Sequence, residues 1–478
     1  MSREYETVIG LEVHCQLKTK TKVWCGCDAN YDHKDPNTST CPICTGQPGA
    51  LPKLNSKVLD YAIKAAIALN CNVNENSHFD RKNYFYPDSP KNYQITQYFK
   101  PYAEEGYLEV KTNSGKESKV GIERIQIEED TAKNIHTDSE SLLNFNRASI
   151  PLIEIISKPE IKNAEEAYAY LTTLRDRLKY TKISDVSMEL GSLRCDANVS
   201  VRLKGETKLG TRTETKNLNS FKAVVRAIEY ETNRQIELIE NGERVIQETR
   251  LWDEENGVTR SMRSKEDSMD YRYFPEPDLP RVYISEKRLF DVKNDMPEFS
   301  KDKVIRFLKE YMIPEYDAEI LSSEIELADY YEKVVEVSKD AKLSSNWMLT
   351  EVLRILKENS ISIIDFNIFP ENLGKLILLI KNKTISSKIA KDIFEVLLTD
   401  NKDPELIVKE KGLVQITDNN EIEQIVDRVI SENAQSVEDF KAGKDRAIGF
   451  LVGQAMKLSK GKANPTIVTD MILTKISN

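Results

Sequence analysis

The sequence predicts an α+β chain: a β-rich domain over residues 1–293, then two all-α domains over 294–405 and 406–478. Three observations carry this. The N-terminal part alternates polar and apolar residues in short runs broken by Gly, Pro and Asn, the period of half-buried strands. From about Met296 the apolar residues recur at helical spacing instead. The chemistry is unevenly spread, with all four His before residue 140 and six of seven Cys before residue 100. A length of 478 residues suits roughly three domains at about 150 residues each.

In the helical half, Leu327, Tyr330, Tyr331, Val334 and Val337 or Ser338 form one stripe, and Trp347, Leu349, Val352, Leu353 and Leu356 another. Both read as core packing. Pro370 and Gly374 read as breaks, and a second helical array runs from about Thr384. The Asp400-Asn401-Lys402-Asp403-Pro404 stretch reads as a hinge.

Composition narrows the class. Hydrophobic content of 40% and charged content of 31% suit a globular protein. No apolar run approaches the ~20 residues of a membrane span. The opening Met1-Ser2-Arg3-Glu4-Tyr5-Glu6 has no apolar signal core, so the cytoplasm is the expected compartment. A net charge of −10 argues against binding nucleic acid through bulk charge, so any such contact needs local basic patches.

Four cysteines stand as two close pairs, Cys25-Gly26-Cys27 and Cys41-Pro42-Ile43-Cys44. Zinc takes four soft donors in a tetrahedron, and two short hooks supply them, so the quartet reads as a structural zinc site. Two buried or disulfide-bonded pairs are the alternative. An odd total of seven Cys argues against a disulfide scaffold. Cys15, Cys71 and Cys195 sit in apolar or strand contexts, which argues against a cysteine nucleophile.

The strands carry the candidate chemistry. Glu12 and His14 stand two apart in Val8–His14, so a strand turns both to one face. They make half of a metal site or a plain hydrogen-bonded pair. In Arg124–Asp130 the residues Arg124, Gln126 and Glu128 share a face, and Glu128 is the inward candidate. Glu129 and Asp130 read as solvated strand-end acids. Glu154 is a lone carboxylate in Pro151–Ile156, costly to bury unless paired or metal-bound; the alternative is an edge register facing solvent. In Leu193–Arg202 one face holds Arg194, Asp196, Asn198, Ser200 and Arg202, and Arg212, Glu214 and Lys216 continue the theme. Such faces suit a polar substrate, phosphates and a cation, though a solvated sheet looks the same. Together they suit phosphoryl transfer from a nucleotide, with Glu and His holding Mg²⁺ and Arg and Lys neutralising charge. No Walker loop or Rossmann fingerprint is present, so an ATP site would have to lie on the sheet.

These residues fall in stretches that resemble the GatB family of tRNA-dependent amidotransferases. The stretches are E-T-V-I-G-L-E-V-H (6–14), C-P-I-C-T-G-Q-P-G-A-L-P (41–52), Y-F-Y-P-D-S-P-K-N-Y-Q-I-T-Q-Y (84–98) and N-R-A-S-I-P-L-I-E-I-I-S (146–157). Further on come G-S-L-R-C-D-A-N-V-S-V-R (191–202), K-N-L-N-S-F (216–221) and D-Y-R-Y-F-P-E-P-D-L-P (270–280). Residues 449–465, G-F-L-V-G-Q-A-M-K-L-S-K-G-K-A-N-P, resemble a YqeY-type tail. The resemblance implies an antiparallel, β-rich cradle of glutamine-synthetase-like type, then two helical domains. It implies ATP-dependent phosphorylation of the side-chain carboxylate of Glu-tRNA(Gln), Asp-tRNA(Asn) or both. Amidation by ammonia from a glutaminase subunit (GatA) follows, with a small third subunit (GatC) completing a heterotrimer.

By the same resemblance, Glu12, His14, Glu128 and Glu154 would hold Mg²⁺, with Glu128 against Glu129 left open. Cys25, Cys27, Cys41 and Cys44 would hold Zn²⁺. Arg194 and Asp196 are expected at the reaction centre. Arg194, Asn198, Arg202, Arg212, Glu214 and Lys216 are expected to bind the nucleotide. The chain departs from the family pattern at Gln126, where His is usual, at Leu190, where a second acid is usual, and at Ser268-Met269. In the tail, Lys441, Lys444, Arg446, Lys457, Lys460 and Lys462 outnumber a single acid, Asp445, so Lys444, Arg446, Lys457, Lys460 and Lys462 are expected to contact tRNA. A module that only positions RNA would lack the Glu/His set, and a ligase for a small acid would not need the tail. This chain has both.

Overall fold

The computed structural model describes residues 4–137, 139–264, 270–413, 419–441, 444, 446–459, 463 and 465–477. Two compact units divide the chain after Pro297.

The first unit is built on a nine-stranded sheet. Its strands are β1 (Tyr5–Gln16), β2 (Asn72–Val73), β3 (Ala103–Lys111), β4 (Glu117–Glu129), β5 (Pro151–Ser157), β6 (Leu193–Leu203), β7 (Thr213–Leu218), β8 (Glu248–Asp253) and β9 (Val258–Ser264). The spatial order is β9-β8-β7-β6-β1-β5-β4-β3-β2. Neighbours are antiparallel, with one departure from the expected pattern: β7 and β8 run parallel. Between them runs α3 (Phe221–Glu240), the long crossover that a parallel pair needs.

One face of the sheet is apolar. Ile9, Leu11, Val13 and Cys15 of β1 are almost fully buried with Ile153 and Ile155 of β5 and Ala197 and Val199 of β6. The same core takes Ile63 and Ala66 of α1 (Ser56–Ala68), Tyr170, Leu171 and Leu174 of α2 (Ala164–Tyr180), and Val224 and Ile228 of α3. Each such aliphatic side chain contributes about 1.5–3 kcal/mol on burial. Asn55, Asn163 and Ser220 cap the three helices by accepting from the backbone N–H of Lys57, Glu166 and Ala223. With the helices on one face, the even-numbered residues of β1 are left for polar chemistry on the other.

A buried carboxylate ties α3 to the sheet edge. Glu231, fully buried, accepts from Arg234 (2.8 Å), Thr213 (2.9 Å) and Thr259, and pairs with Arg250 (3.0 Å). Burial works to raise its pKa, but these partners outweigh burial and hold it low. Its stabilisation is therefore full above the ordinary Glu value and is lost as pH falls through the depressed one. Glu231→Ala strands Arg250 and Arg234 and should cost about 3–5 kcal/mol in chemical denaturation. A change below about 1 kcal/mol (less than a neutral hydrogen bond) would count against this network.

In the second unit, Leu327, Tyr330, Tyr331, Val334 and Ser338 are buried along the helix Ile325–Ser338, as core packing requires. Trp347, Val352 and Leu356 join the same core, while Leu349 and Leu353 are half-buried. Pro370 and Gly374 do not break the helical pattern. Pro370 opens the helix Pro370–Lys381, where its missing N–H costs nothing. Gly374 lies inside that helix, and a Cβ there would come within 2.6 Å of Val337, so the glycine lets two helices close up.

Nor does Asp400–Pro404 stand free as a hinge. Asn401 accepts from Asn372 (2.7 Å) and Asp403 pairs with Lys375 (2.5 Å), pinning the segment to the same helix. The expected boundary at 405 falls within the helix Pro404–Glu410, whose Ile407 and Val408 are buried in this core. A separate cluster of Ile422, Val426, Val429, Leu451, Val468 and Ile472 lies in the tail. No helix among the described residues is long and apolar enough to cross a membrane.

Candidate metal and phosphoryl-transfer site

Strand register assembles the polar face. His14 stands opposite Arg194 on β6 and Glu154 on β5, and Glu154 stands opposite Gln126 on β4. The next row holds Asp196, Glu12, Ile156 and Arg124. His14 Nε2 lies 3.2 Å from Glu128 Oε1 and 3.8 Å from Glu154 Oε1. One ligand atom from each of these three residues falls within 4.8 Å of the others.

Their electrostatics favour a cation. Burial, and then the neighbouring Glu128 charge, push Glu154 up to about 7. Burial pulls the His14 imidazole down, but its hydrogen bond to Glu128 and the charges of Glu128, Glu154 and Asp196 raise it to about 9. Two crowded carboxylates facing one imidazole are relieved by a divalent ion, and oxygen and nitrogen donors suit Mg²⁺, so the set fits the metal.

The fourth expected ligand, Glu12, stands apart from this cluster. Its Oε1 accepts from Asn198 Nδ2 at 2.8 Å. Glu12 and Asn198 line a cavity of about 420 Å³ with Gly10, Ser200, Thr211 and Arg212. His14 and Glu128 line a second, of about 310 Å³, with Arg194. The two cavities meet β1 two residues apart.

The remaining candidates divide. Lys216 pairs with Asp196 (2.9 Å) and Glu214 (3.0 Å), and burial's downward pull on its ammonium is outweighed by those charges. Arg194 is already engaged, forming a bidentate pair with Asp130. Arg202 turns to Glu6 at 3.3 Å. Glu129 and Asp130 are not solvated; both are almost fully buried. Glu129 accepts from Lys91 (2.7 Å), Ser149 (2.7 Å) and the Ile95 N–H (3.0 Å), and Arg194 and Arg147 hold Asp130 low against burial. Glu129's oxygens are thus committed away from the cluster, whereas those of Glu128 face His14. Gln126, on the polar face, donates to Glu154.

Sequence reasoning missed Lys82. It lines the His14 cavity, and the charges of Glu128 and Glu154 keep its pKa above the usual lysine value despite burial. Its neighbour Tyr271 comes from a distant segment, held when Asn83 N–H donates to the Tyr271 carbonyl at 3.0 Å. The polar, Pro-rich stretch around residues 83–92 looks like a plain turn, so only the short alternation of 80–83 hinted at an inward lysine.

The four cysteines of the hooks converge, one sulfur each within 4.8 Å of the others. All seven cysteines are free thiols. Lys22 is fully buried, with Nζ 3.7 Å from Cys44 Sγ and 3.4 Å from the Phe145 carbonyl. The Cys44 thiol is pulled down by its hydrogen bond with Cys25 and by this ammonium. Four thiolates on a divalent ion leave net negative charge, which a buried cation offsets, so the donor set fits Zn²⁺. The knob is wired to the sheet: Val23 N–H donates to the Ser149 carbonyl (3.0 Å) just before β5, and Asn146 Oδ1 accepts from Ser39 N–H (2.8 Å). Burial pushes the Cys15 thiol up to about 12, as an inert core thiol requires.

In the tail, Arg446 and Lys457 are exposed, and Lys444 is exposed but paired with Asp439 at 2.9 Å. Lys460, Lys462 and Ser268-Met269 lie outside the described residues.

A cation cluster on a sheet face beside a tetrathiol knob defines a class of metal-dependent catalytic domain. Residues 7–289 match the family model described as the GatB/GatE catalytic domain, and residues 329–476 match one described as a GatB domain. The chain belongs to the GatB family. It is 64% identical over 480 residues to a protein of Fusobacterium nucleatum, covering 100% of both chains. Against relatives from Clostridium tetani and Carboxydothermus hydrogenoformans it is 50% and 52% identical, covering 99% of each chain. All three relatives are named as the GatB-type component of an aspartyl/glutamyl-tRNA(Asn/Gln) amidotransferase.

Proposed function

We propose that this chain is the ATP-using subunit of a glutamine-dependent tRNA amidotransferase, a ligase forming a carbon–nitrogen bond. It works with a glutaminase subunit (GatA) and a small subunit (GatC) in the cytoplasm. The observation that carries the reading is the convergence of His14, Glu128 and Glu154 in a chain whose full-length relatives bear that name.

The reaction needs an activated acid, because a carboxylate is a poor electrophile for ammonia. A side-chain carboxylate oxygen of Glu-tRNA(Gln) or Asp-tRNA(Asn) attacks the γ-phosphorus of ATP, and ADP leaves. Ammonia then attacks the acyl carbon, phosphate leaves and a proton is lost. Mg²⁺ held by His14, Glu128 and Glu154 supplies charge to the phosphoryl oxygens. Asn198 and Arg212, beside Glu12, orient the nucleotide in the larger cavity. Lys82 draws the substrate carboxylate toward His14 and offsets its charge. Lys216, anchored by Asp196 and Glu214, adds positive charge along the same sheet face. Zn²⁺ in the closed cysteine knob braces β5 and takes no part in the chemistry.

The test uses the reconstituted trimer with glutamyl- and aspartyl-tRNA labelled with heavy oxygen in the side-chain carboxylate. Label should appear in inorganic phosphate for whichever tRNA is a substrate. Amidation without label transfer would refute the acyl phosphate.

The tail gives a separate expectation. Removing residues 414–478 takes away Lys444, Arg446, Lys457, Lys460 and Lys462 while keeping the helix Pro404–Glu410. The apparent KM for tRNA should rise about tenfold, more steeply at high salt. An unchanged KM would make the basic tail a solvated face.

A further inference from the structure

The cavity floored by His14 and Glu128 has an aromatic wall of Tyr84, Tyr86 and Tyr271. Tyr86 is 50% exposed and its neighbour Phe85 is 80% exposed. Neither ring pairs with another among the described residues. Their loop is nonetheless held in place. Tyr84 N–H donates to the Asn92 carbonyl (3.1 Å), Ser89 N–H to the Tyr86 carbonyl (3.0 Å), and Thr131 Oγ1 to Asp88 (3.0 Å). Tyr271 is backed edge-on by Tyr273, which stacks on Tyr98 at 4.0 Å and 9°. A fixed loop holding two large rings in water beside a reaction cavity is arranged to receive a flat apolar surface.

The substrate supplies one. The reacting carboxylate of an aminoacyl-tRNA is joined to the 3′ ribose by only a few single bonds. When that carboxylate reaches His14 and Glu128, the terminal base must lie at the cavity mouth. Single-stranded RNA ends are commonly held by stacking splayed bases on aromatic side chains. The terminal adenosine is shared by all tRNAs, so one seat serves glutamyl and aspartyl substrates alike.

We infer that Phe85 and Tyr86 form a stacking seat for the 3′-terminal base of the aminoacyl-tRNA, placing its acyl group over the His14–Glu128 cavity. The inference rests on the phosphorylation reading above.

The experiment uses the reconstituted trimer and glutamyl-tRNA with 2-aminopurine at the 3′ end, whose fluorescence is quenched on stacking. Binding should quench the probe in the wild-type complex and equally in Glu154→Ala. The quench should be lost in the Phe85→Ala/Tyr86→Ala double variant, with KM for natural glutamyl-tRNA raised about tenfold. Phe85→Trp on the Tyr86→Ala background should restore both. Glutamine hydrolysis by the partner subunit serves as the assembly control. An unaltered quench and KM in the double variant would overturn the seat. A Glu154→Ala complex that still turns over ATP, with the quench intact, would instead overturn the phosphorylation site and leave the seat supported.

Discussion

Glu154→Ala in the assembled complex loses about 10²–10³-fold or more of its glutamyl-tRNA-dependent ATP turnover while still binding the tRNA. The substitution removes one of three convergent ligand atoms and leaves Gln126 without its acceptor. It also lightens the negative charge that makes the cluster a cation seat, so the Mg²⁺ needed for half-maximal rate should rise. Tyrosine and lysine groups of the cavity wall are untouched, which is why binding should persist. Turnover assays at graded Mg²⁺, with filter binding of charged tRNA, read both quantities. Wild-type turnover in this variant would remove Glu154 from the metal site.

Cys44→Ser should have the second largest effect, on folding instead of rate. It deletes one zinc donor and leaves the buried Lys22 ammonium facing the Phe145 carbonyl without the thiolate charge. Losing one partner of a buried ionic pair costs about 3–5 kcal/mol, before any loss of zinc is counted. The purified variant should lack its zinc equivalent by elemental analysis, melt several degrees lower and be cleaved faster within residues 28–41. Full zinc content with an unchanged Tm would refute a structural zinc knob. Lys22→Met in the same chain should retain the fold better than Cys44→Ser, because it removes the stranded charge.

Much of the site is legible in the sequence, because strand periodicity is local. Glu12 and His14 share a face on any extended backbone, and Glu128 and Glu154 stand out as acids in apolar runs. The cysteine hooks are readable from spacing alone. What the sequence hides depends on partners far along the chain. Glu12 leaves the triad for Asn198 because β6 pairs with β1 in one particular register. Glu129 and Asp130 look solvated because Lys91, Ser149, Arg147 and Arg194, which compensate their burial, come from separate segments. Lys82 escapes notice because Tyr271, which its ammonium covers, lies almost two hundred residues away. In the helical half the apolar stripes are plain, but Gly374 mimics a helix break, since close contact between helices leaves no periodic trace.

β1 lies at the centre of the sheet, with Leu11 and Val13 in the core and Glu12 and His14 on the opposite face. A single-residue insertion anywhere between Val8 and His14 would exchange those faces, turning the carboxylate or imidazole into the apolar core and leucine or valine into the reaction centre. Side chains along β1 can drift one at a time, but its length cannot. In descendants of this gene the segment should therefore accumulate substitutions freely at its exposed positions and no gaps at all.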